Sequence, residues 1–268
     1  MDVSIIIINY NTRELTQNCI NSIFEKTKNV SFEVILVDNA STDGSKECFE
    51  KDSRIIYIYS PENLGFGKGN NLGFQYAKGE YIFLLNSDTE LINNSIFELV
   101  NFLNVHPEIT IVGGALYNKE MRPCNSYGLL LPSFYKELDM LFRGWFTRSL
   151  RKKIDESIKE CGYAIVGYIT GADMMLRRSS IEKVGLFDPD FFMYYEETEM
   201  TYRHYVNNNI SVYFPTAKIY HFEGKSFDVK ETRERMYLIS RKLYYQKTGH
   251  SKFYYNSCTL IYLLYLIS

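Results

Sequence analysis

The chain has 268 residues, of which 46% are hydrophobic, and its formal net charge is −2. This composition is sufficient for one large α/β domain or two small ones, and it excludes a disordered chain. A charge so close to neutral provides no global field that would attract nucleic acid, so we expect no nucleic-acid partner. Five scattered cysteines without a Cys-x-x-Cys pair argue against a zinc site or a disulfide framework and fit a cytoplasmic protein.

The first 116 residues alternate between strand-like and helix-like patterns. The predicted strands are Val3–Ile8, Val34–Val37, Ile55–Tyr59, Tyr81–Leu85 and Ile109–Val112. The predicted helices between them are Arg13–Glu25, Ser45–Lys51, Gly67–Ala77 and Ser95–Val105. This alternation predicts an α/β fold with a mostly parallel central sheet flanked by helices, of the type that binds nucleotides.

The periodicity fades between residues 117 and 160. Five positive charges surround Trp145 and Phe146 in the segment Arg143–Lys153. Such a segment could rest on anionic lipid, or it could be a solvated helix or loop. Regular patterns return after Gly171, and the predicted elements are the strand Met174–Leu176, an acidic helix that opens near Tyr195, the strand Val212–Phe214 and a long helix Val229–Lys247.

Neither end of the chain reads as a membrane span or a signal peptide. The amino terminus lacks a basic region, and Val3–Ile8 is better explained as a strand. The apolar tail Phe253–Ile267 contains only a short uninterrupted run, Thr259–Ile267, whereas a bilayer needs about 20 residues. The tail could lie on a membrane, contact another copy, or begin a longer segment.

Four polar clusters follow predicted strands of the first half. They are Asn9–Thr12, Val37–Gly44, Asn63–Gly73 and Asn86–Asp88. A parallel sheet brings the carboxyl ends of its strands to one edge, where α/β proteins bind ligands. Asp88 and Asn86 offer oxygen ligands of the kind that Mg²⁺ or Mn²⁺ prefers. Each cluster alone could equally be an Asx turn, a helix cap or a glycine turn.

These motifs and three later ones resemble glycosyltransferase family 2, the inverting enzymes of GT-A fold, and within it the rhamnosyltransferase-like branch. The resemblance covers Val3 to about Gly249 and includes Ser4–Thr12, Val37–Gly44, Asn63–Asn71, Leu84–Asp88, Gly171–Arg178, Phe191–Arg203 and His221–Ser226. It implies transfer of a sugar from a nucleotide diphosphate sugar to an acceptor hydroxyl, with a divalent metal, Mg²⁺ or Mn²⁺, as cofactor.

The resemblance also assigns roles to residues. It implies that Asp38 reads the pyrimidine base and that Asp88 is the metal ligand of the Asp-x-Asp motif, in which Asn86 departs from the acidic first position. His221 matches a histidine that completes the metal or diphosphate site. The full set expected to bind the nucleotide sugar is Asn9, Tyr10, Asn11, Thr12, Asp38, Asn39, Asn63, Gly65, Gly69, Asn70, Asn86, Ser87 and Asp88.

The resemblance places the catalytic base in Glu196-Glu197-Thr198-Glu199, which aligns with the family's Glu-Asp-x-Asp. Glu197 is the candidate, with Glu where the family usually has Asp, and Glu196 could share the work. An acidic first helical turn is also favoured by the helix dipole alone. The chain lacks the Gln-x-x-Arg-Trp motif of processive members, so we expect one sugar to be added per encounter.

The resulting hypothesis is a non-processive transferase of bacterial surface polysaccharide synthesis, using a dTDP- or UDP-sugar, with dTDP-rhamnose as one candidate donor. Its expected acceptor is a saccharide or a lipid-linked saccharide. The expected location is the cytoplasm, where the protein could bind peripherally to the inner face of the cell membrane. Residues 1–228 would form the GT-A domain, with a nucleotide-binding half (1–116) and an acceptor half (117–228), and residues 229–268 a helical segment.

Two rivals differ in class. A sugar nucleotidyltransferase would need glycine and basic residues after the first strand, where Asn9–Thr12 has none. A catalytically weak relative that acts as a sugar-nucleotide-binding scaffold stays open because of the Glu at position 197.

Overall fold

The computed structural model describes residues 1–222 and 230–267. Its strands are β1 Val3–Asn9, β2 Phe32–Asn39, β3 Ile56–Ser60, β4 Tyr81–Asn86, β5 Thr89–Leu91, β6 Ile109–Tyr117, β7 Tyr127–Gly128, β8 Ala164–Ile165, β9 Tyr168–Ile169, β10 Asp173–Arg177 and β11 Ile210–His221. Its helices are α1 Arg13–Lys26, α2 Ser45–Phe49, α3 Gly65–Phe74, α4 Ser95–Val105, α5 Phe134–Leu141, α6 Arg148–Cys161, α7 Arg178–Val184, α8 Glu196–Val206, α9 Lys230–Lys247 and α10 Lys252–Ile267.

One large sheet organises the described residues. Its strand order is β3-β2-β1-β4-β10-β6-β11-β5, and β8 pairs with β11 outside this path. The strands β3, β2, β1 and β4 are parallel neighbours, so Asn9 lies beside Asp38 at their carboxyl ends. The predicted α/β fold with flanking helices is confirmed.

The second half of the chain contributes a central strand to this sheet. Antiparallel β10 lies between β4 and β6, and Asp173 pairs with Leu85 at the end of β4. β6 therefore does not continue the parallel run directly, as the alternation of the first 116 residues predicted. The insertion brings the residues just before β10 to the same sheet edge as Asp88.

Successive apolar side chains along each strand point to opposite faces of the sheet, and they form two cores, one on each face. Ile5 and Ile7 of β1 pack in a cluster with α1 and α4. Ile6 packs in the opposite cluster with residues of α6, α7 and α8. α3 lies on this second face, where Gly73 lies so close to β1 that a Cβ would be 2.6 Å from Ile6.

The region from 117 to 160 is more regular than its sequence suggested. It contains α5 and α6, and the basic segment Arg143–Lys153 ends inside α6. Ser133 caps α5 by accepting a hydrogen bond from the Lys136 backbone amide at 3.2 Å. Ile154 of α6 is buried under the sheet core, which explains why a strongly charged segment is helical.

The two C-terminal helices enclose a third apolar cluster. Tyr244, Tyr245 and Cys258 pack there against Phe191 and Tyr195, which precede α8. The Arg241 side chain is fully buried and forms a 2.8 Å ion pair with Glu137 of α5. The boundary between a GT-A domain of residues 1–228 and a helical segment of residues 229–268 stays a prediction.

The predicted helix start at Val229 and the residues Glu223–Ser226 of the last motif lie outside the described residues. Among the helices that the structure describes, none combines the length and the apolarity needed to cross a bilayer.

Candidate active site

A cavity of about 430 Å³ lies at the carboxyl ends of β1, β2 and β4. Asp88, Glu196, Glu197 and His221 all line it. Of the thirteen residues expected to bind the nucleotide sugar, eight line it: Tyr10, Thr12, Asn39, Asn63, Gly65, Asn86, Ser87 and Asp88. The other five, Asn9, Asn11, Asp38, Gly69 and Asn70, are not among its lining residues.

Asn9 organises the loop after β1 from a fully buried position. Its Oδ1 accepts hydrogen bonds from the hydroxyls of Thr12 and Thr16, each at 2.9 Å, and its Nδ2 donates to Ser41 Oγ at 3.0 Å. Thr12 is in turn 3.1 Å from Ser87 Oγ. These bonds fix the loop after β1 to the end of β4, so Asn9 holds the cavity wall in place.

Asp38 is fully buried, and both of its carboxylate oxygens have partners. Tyr57 donates to Oδ2 at 2.7 Å, and the Ser41 backbone amide donates to Oδ1 at 3.1 Å. Its neighbour Asn39 lines the cavity instead. Asn39 donates from Nδ2 to the Gly65 carbonyl at 3.0 Å, and its buried Oδ1 has no hydrogen-bond partner in the structure. A ligand in the cavity could donate to this oxygen.

The glycine-rich segment serves packing more than ligand approach. Gly65 has a φ of 76°, and a Cβ there would lie 2.2 Å from the Phe192 carbonyl oxygen. At Gly69 a Cβ would lie 3.2 Å from Ile8, so this glycine seats α3 on β1. Asn70 donates to the Phe66 carbonyl within the same helix at 3.0 Å. Asn11 holds the neighbouring loop by accepting from the Thr42 amide at 2.7 Å.

Asp88 lies between β4 and β5, and His221, the last residue of β11, lies beside it. His221 is the register partner of Thr89, and its Nε2 lies 3.4 Å from Asp88 Oδ1 and 3.5 Å from Asn86 Nδ2. Both side chains are nearly buried and line the cavity.

This pair of donors fits a divalent metal that receives its other ligands from a bound diphosphate. The described residues hold no group of three His, Cys, Asp or Glu side chains placed to bind a metal. Metals in phosphate-transfer sites are commonly held by one or two protein ligands together with substrate phosphates and water. Because imidazole is a softer ligand than a carboxylate, the Asp88 and His221 pair suits Mn²⁺ better than Mg²⁺.

Glu196 and Glu197 are the first two residues of α8, line the same cavity and face different neighbours. A Cβ on Gly67 of α3 would be 3.7 Å from the Glu196 Cβ, whereas one on Gly171, before β10, would be 3.9 Å from the Glu197 Cβ. The Oε2 atom of Glu196 is buried without a hydrogen-bond partner. Glu197 thus lies on the side of the β9–β10 loop, and Glu196 lies towards α3.

Burial raises the pKa of both carboxyl groups above its ordinary value of 4.5. The negative charge of Glu197 raises the pKa of Glu196 further, while the positive charge of Lys136 lowers that of Glu197. Of the two, Glu197 is therefore the one that ionises more readily and can then accept a proton.

A left-handed turn presents the two glutamates to the cavity. Tyr194 and Tyr195 have φ values of 69° and 67°, a conformation that bulky residues rarely adopt. Ser240 of α9 donates to the Met193 carbonyl at 2.7 Å, and Tyr195 donates to Tyr237 at 3.0 Å. The C-terminal helix α9 therefore holds the turn that positions Glu197.

Several lining residues were missed from the sequence. Arg233 of α9 reaches the cavity, as do Tyr194 and Asn125. The segment Thr170–Ala172 also contributes. Gly171 and Ala172 of this segment belong to the motif Gly171–Arg178. Arg233, by contrast, lies in a charged helical stretch whose sequence gives no local signal of a site.

The glycosyl transferase family 2 model matches residues 4–185. The chain belongs to glycosyl transferase family 2. The match covers the β1, β2 and β4 edges of the cavity, and it ends before Glu196, Glu197, His221 and Arg233.

Two relatives are named as sugar transferases. The chain is 30% identical over 206 residues to a low-salt glycan biosynthesis hexosyltransferase, Agl10 of Haloferax volcanii, covering 75% of this chain and 61% of that protein. It is 24% identical to an N-acetylglucosaminyl-diphospho-decaprenol L-rhamnosyltransferase of Mycobacterium tuberculosis, covering 72% of this chain and 67% of the relative. The chain thus spans less than two thirds of the Haloferax protein.

The fold is shared with enzymes of known structure. GalNAc-T7, crystallised with UDP, GalNAc and Mn²⁺, superposes with a TM-score of 0.67 at 14% identity, over 90% of this chain and 48% of that one. At this identity the likeness establishes the GT-A fold alone.

Proposed function

We propose that the protein is a metal-dependent inverting glycosyltransferase that moves a sugar from a dTDP- or UDP-sugar to an acceptor hydroxyl in bacterial surface polysaccharide synthesis. The observation that carries this proposal is that Asp88 and Glu197, 109 positions apart by their numbers, line one cavity. Family membership and the names of the relatives support sugar transfer as the reaction.

In this proposal Glu197 is the general base. Inversion requires one displacement, in which a base takes the acceptor proton while the hydroxyl oxygen attacks the anomeric carbon. A carboxylate whose pKa is raised by burial is a stronger base than an exposed one, and the positive charge of Lys136 lowers this pKa in part. Glu197 has one methylene more than the Asp usual in the family. The absence of a side chain on Gly171, whose Cβ would lie 3.9 Å from the Glu197 Cβ, is compatible with this longer side chain.

Asp88 and His221 would hold the divalent metal, which would neutralise the charge of the departing diphosphate. Arg233 supplies a permanent positive charge to the same cavity. We infer that its guanidinium binds a phosphate oxygen of the donor, since Arg is well suited to this geometry. Asn39, with its unpartnered Oδ1, is placed to accept a hydrogen bond from the base or ribose.

We further propose that transfer is non-processive and takes place beside a membrane. Phe142 and Trp145 are exposed next to the cations of Arg143–Lys153, and Phe253, Leu260 and Leu264 of the neighbouring α10 are exposed as well. Aromatic rings beside basic residues favour an anionic lipid surface. Failure to bind anionic liposomes at low salt would contradict membrane contact, and Trp145→Ser should weaken binding where Tyr205→Ser, an exposed residue of α8, should not.

A donor screen tests the proposed activity. Purified protein is incubated with Mn²⁺ and a panel of dTDP-, UDP- and GDP-sugars, and thermal stabilisation and nucleotide release are measured. We expect both effects with at least one dTDP- or UDP-sugar, and loss of both when a chelator removes Mn²⁺. The absence of stabilisation and release with every donor would overturn the proposal.

Glu197→Gln separates an enzyme from a binding relative. In an enzyme this change should lower sugar transfer by about 10²-fold or more while donor binding persists, because only the proton acceptor is lost. Glu182→Gln on α7 is the matched control and should leave transfer unchanged. A pure binder would show no difference between the wild type and Glu197→Gln.

A further inference from the structure

A second cavity of about 410 Å³ adjoins the first. Asn125 lines both cavities. The chain also runs directly from one to the other, since Tyr168 lines the second and Thr170–Ala172 lines the first. We call Thr170–Ala172 the strip. Its Thr170 amide donates a hydrogen bond to the Ser126 carbonyl at 3.1 Å, which holds the strip in place. A molecule in the second cavity would therefore approach the side of the first on which Glu197 lies.

Two cations line the second cavity, Lys136 of α5 and Arg151 of α6. The Lys136 ammonium lies 3.3 Å from the Tyr168 hydroxyl and 4.9 Å from the centre of its ring. In the part of the chain that the structure describes, neither cation forms an ion pair. The cavity also contains Asp139, whose carboxylate is turned to Thr147 and accepts from its amide at 2.9 Å and its hydroxyl at 2.7 Å.

A largely buried ammonium without a carboxylate partner is unfavourable unless an anion binds beside it. Burial lowers the pKa of Lys136, while the nearby carboxylates of Glu137 and Glu197 raise it. Glu137 is already paired with Arg241 at 2.8 Å. Lys136 is thus available to a ligand and lies within electrostatic range of the proposed base.

We propose that the second cavity binds a phosphate or diphosphate group carried by the sugar acceptor, with Lys136 and Arg151 as its cationic contacts. This inference rests on the proposed function, because it assigns the acceptor class of that same site. Binding of the anionic group places the adjoining sugar towards Asn125 and the Thr170–Ala172 strip, beside Glu197. A phosphate on the acceptor could belong to a soluble sugar phosphate or to a lipid-linked diphosphate saccharide.

Direct binding tests the inference. The first cavity is saturated with UDP and Mn²⁺, and glucose 1-phosphate, inorganic phosphate and methyl glucoside are titrated by calorimetry. We expect the two phosphates to bind and the neutral glucoside to bind at least about tenfold more weakly, as expected for loss of a charged hydrogen bond. Lys136→Met and Arg151→Gln should each weaken phosphate binding about tenfold.

Lys152→Gln is the matched control, since Lys152 follows Arg151 on α6 but pairs with Glu156 at 3.6 Å on the exposed side. Equal phosphate affinity in the wild type and both test variants, or no phosphate binding at all, would overturn the inference. Lys136→Met keeps an unbranched side chain beside Tyr168, and Arg151 is exposed. We therefore expect both variants to fold, so a loss of phosphate binding would report the lost positive charge.

Two further arms separate the possible outcomes. A short-chain prenyl diphosphate sugar in detergent that binds more tightly than glucose 1-phosphate, with the same dependence on Lys136, identifies a lipid-linked acceptor; equal affinity identifies a soluble one. Failure of UDP and Mn²⁺ to stabilise the protein would count against the proposed donor site. The phosphate titration of the free protein would still decide whether Lys136 and Arg151 bind anions.

Discussion

The Tyr195 hydroxyl donates a 3.0 Å hydrogen bond to the Tyr237 hydroxyl, which joins the residue before Glu196 to helix α9. Both rings are packed in the third apolar cluster, with centroids 5.2 Å apart. Tyr195 has a positive φ, so this contact holds a backbone conformation that is unfavourable by itself. The geometry of the proposed base therefore depends on Tyr237, which follows Glu197 by about forty residues.

Tyr237→Phe should impair catalysis more than donor binding. The change leaves the largely buried Tyr195 hydroxyl without its acceptor, which we expect to lower the free energy of unfolding by about 1–3 kcal/mol. The turn that presents Glu197 would loosen, so kcat should fall while the stabilisation by UDP and Mn²⁺ persists. Steady-state kinetics and denaturant unfolding measure the two effects. Tyr205→Phe, at an exposed position of α8, is the control, and an unchanged kcat in Tyr237→Phe would refute the coupling.

Arg241→Met should destabilise the protein strongly. Arg241 Nη2 donates to Glu137 Oε1 at 2.8 Å, and Tyr245 donates to the same oxygen at 3.1 Å, in a region from which water is largely excluded. Removing the cation leaves a buried carboxylate without its charge partner, which typically costs about 3–5 kcal/mol. Urea unfolding should show this loss, and the double variant with Glu137→Gln should recover part of it. A single variant as stable as the wild type would contradict the assignment.

Asp88→Asn should reduce metal-dependent nucleotide binding without a comparable loss of fold stability. The carboxylate has a 3.4 Å contact with His221 Nε2 rather than a short buried ion pair, so its removal disturbs packing little. Thermal unfolding with UDP, with and without Mn²⁺, should show that the metal-dependent part of the stabilisation is lost. Glu90→Gln on β5 should retain it. Equal stabilisation by Mn²⁺ and UDP in Asp88→Asn and the wild type would exclude Asp88 as a ligand.

The pH dependence of transfer should report Glu197. Burial raises its pKa above the ordinary 4.5, and only the ionised form accepts a proton, so kcat/KM should rise with pH through this raised pKa. The positive charge of Lys136 lowers the pKa of Glu197, so Lys136→Met should move the acidic limb to higher pH. Lys152→Met should leave the limb in place. A limb that stays fixed or moves to lower pH in Lys136→Met would argue against Glu197 as the base.

The first half of the fold was predictable because its signals are local. Buried strands such as Tyr81–Asn86 are continuous apolar runs, and the polar residues that end them mark the ligand edge. The place of β10 was not predictable, since Asp173–Arg177 pairs with strands about sixty to ninety residues away and its own sequence carries no sign of that pairing. α6 could have been found, because Leu150, Ile154 and Ile158 recur at a helical spacing within the charged segment.

The sequence motifs indicated which strand ends and loops surround the cavity. They did not indicate which motif residues line the cavity and which are buried behind its wall. Sequence alone gives Asp88 and Asp38 similar contexts, each a carboxylate at a strand end. In the structure Asp88 lines the cavity, while Tyr57 and the Ser41 amide satisfy Asp38 in the interior. Arg233 could not be foreseen, because its approach to the cavity depends on how α9 packs against the rest of the fold.

The close approach of Gly65 to the Phe192 carbonyl has a mechanical consequence. The Phe66 amide donates to that same carbonyl at 3.1 Å, so the start of α3 and the segment leading to the left-handed turn are clamped together. One added methyl group at position 65 would lie 2.2 Å from the Phe192 carbonyl oxygen, so the start of α3 and the segment before Glu197, the proposed base, would have to separate. We therefore expect that Gly65 is needed for the position of Glu197 although it is not itself part of α8.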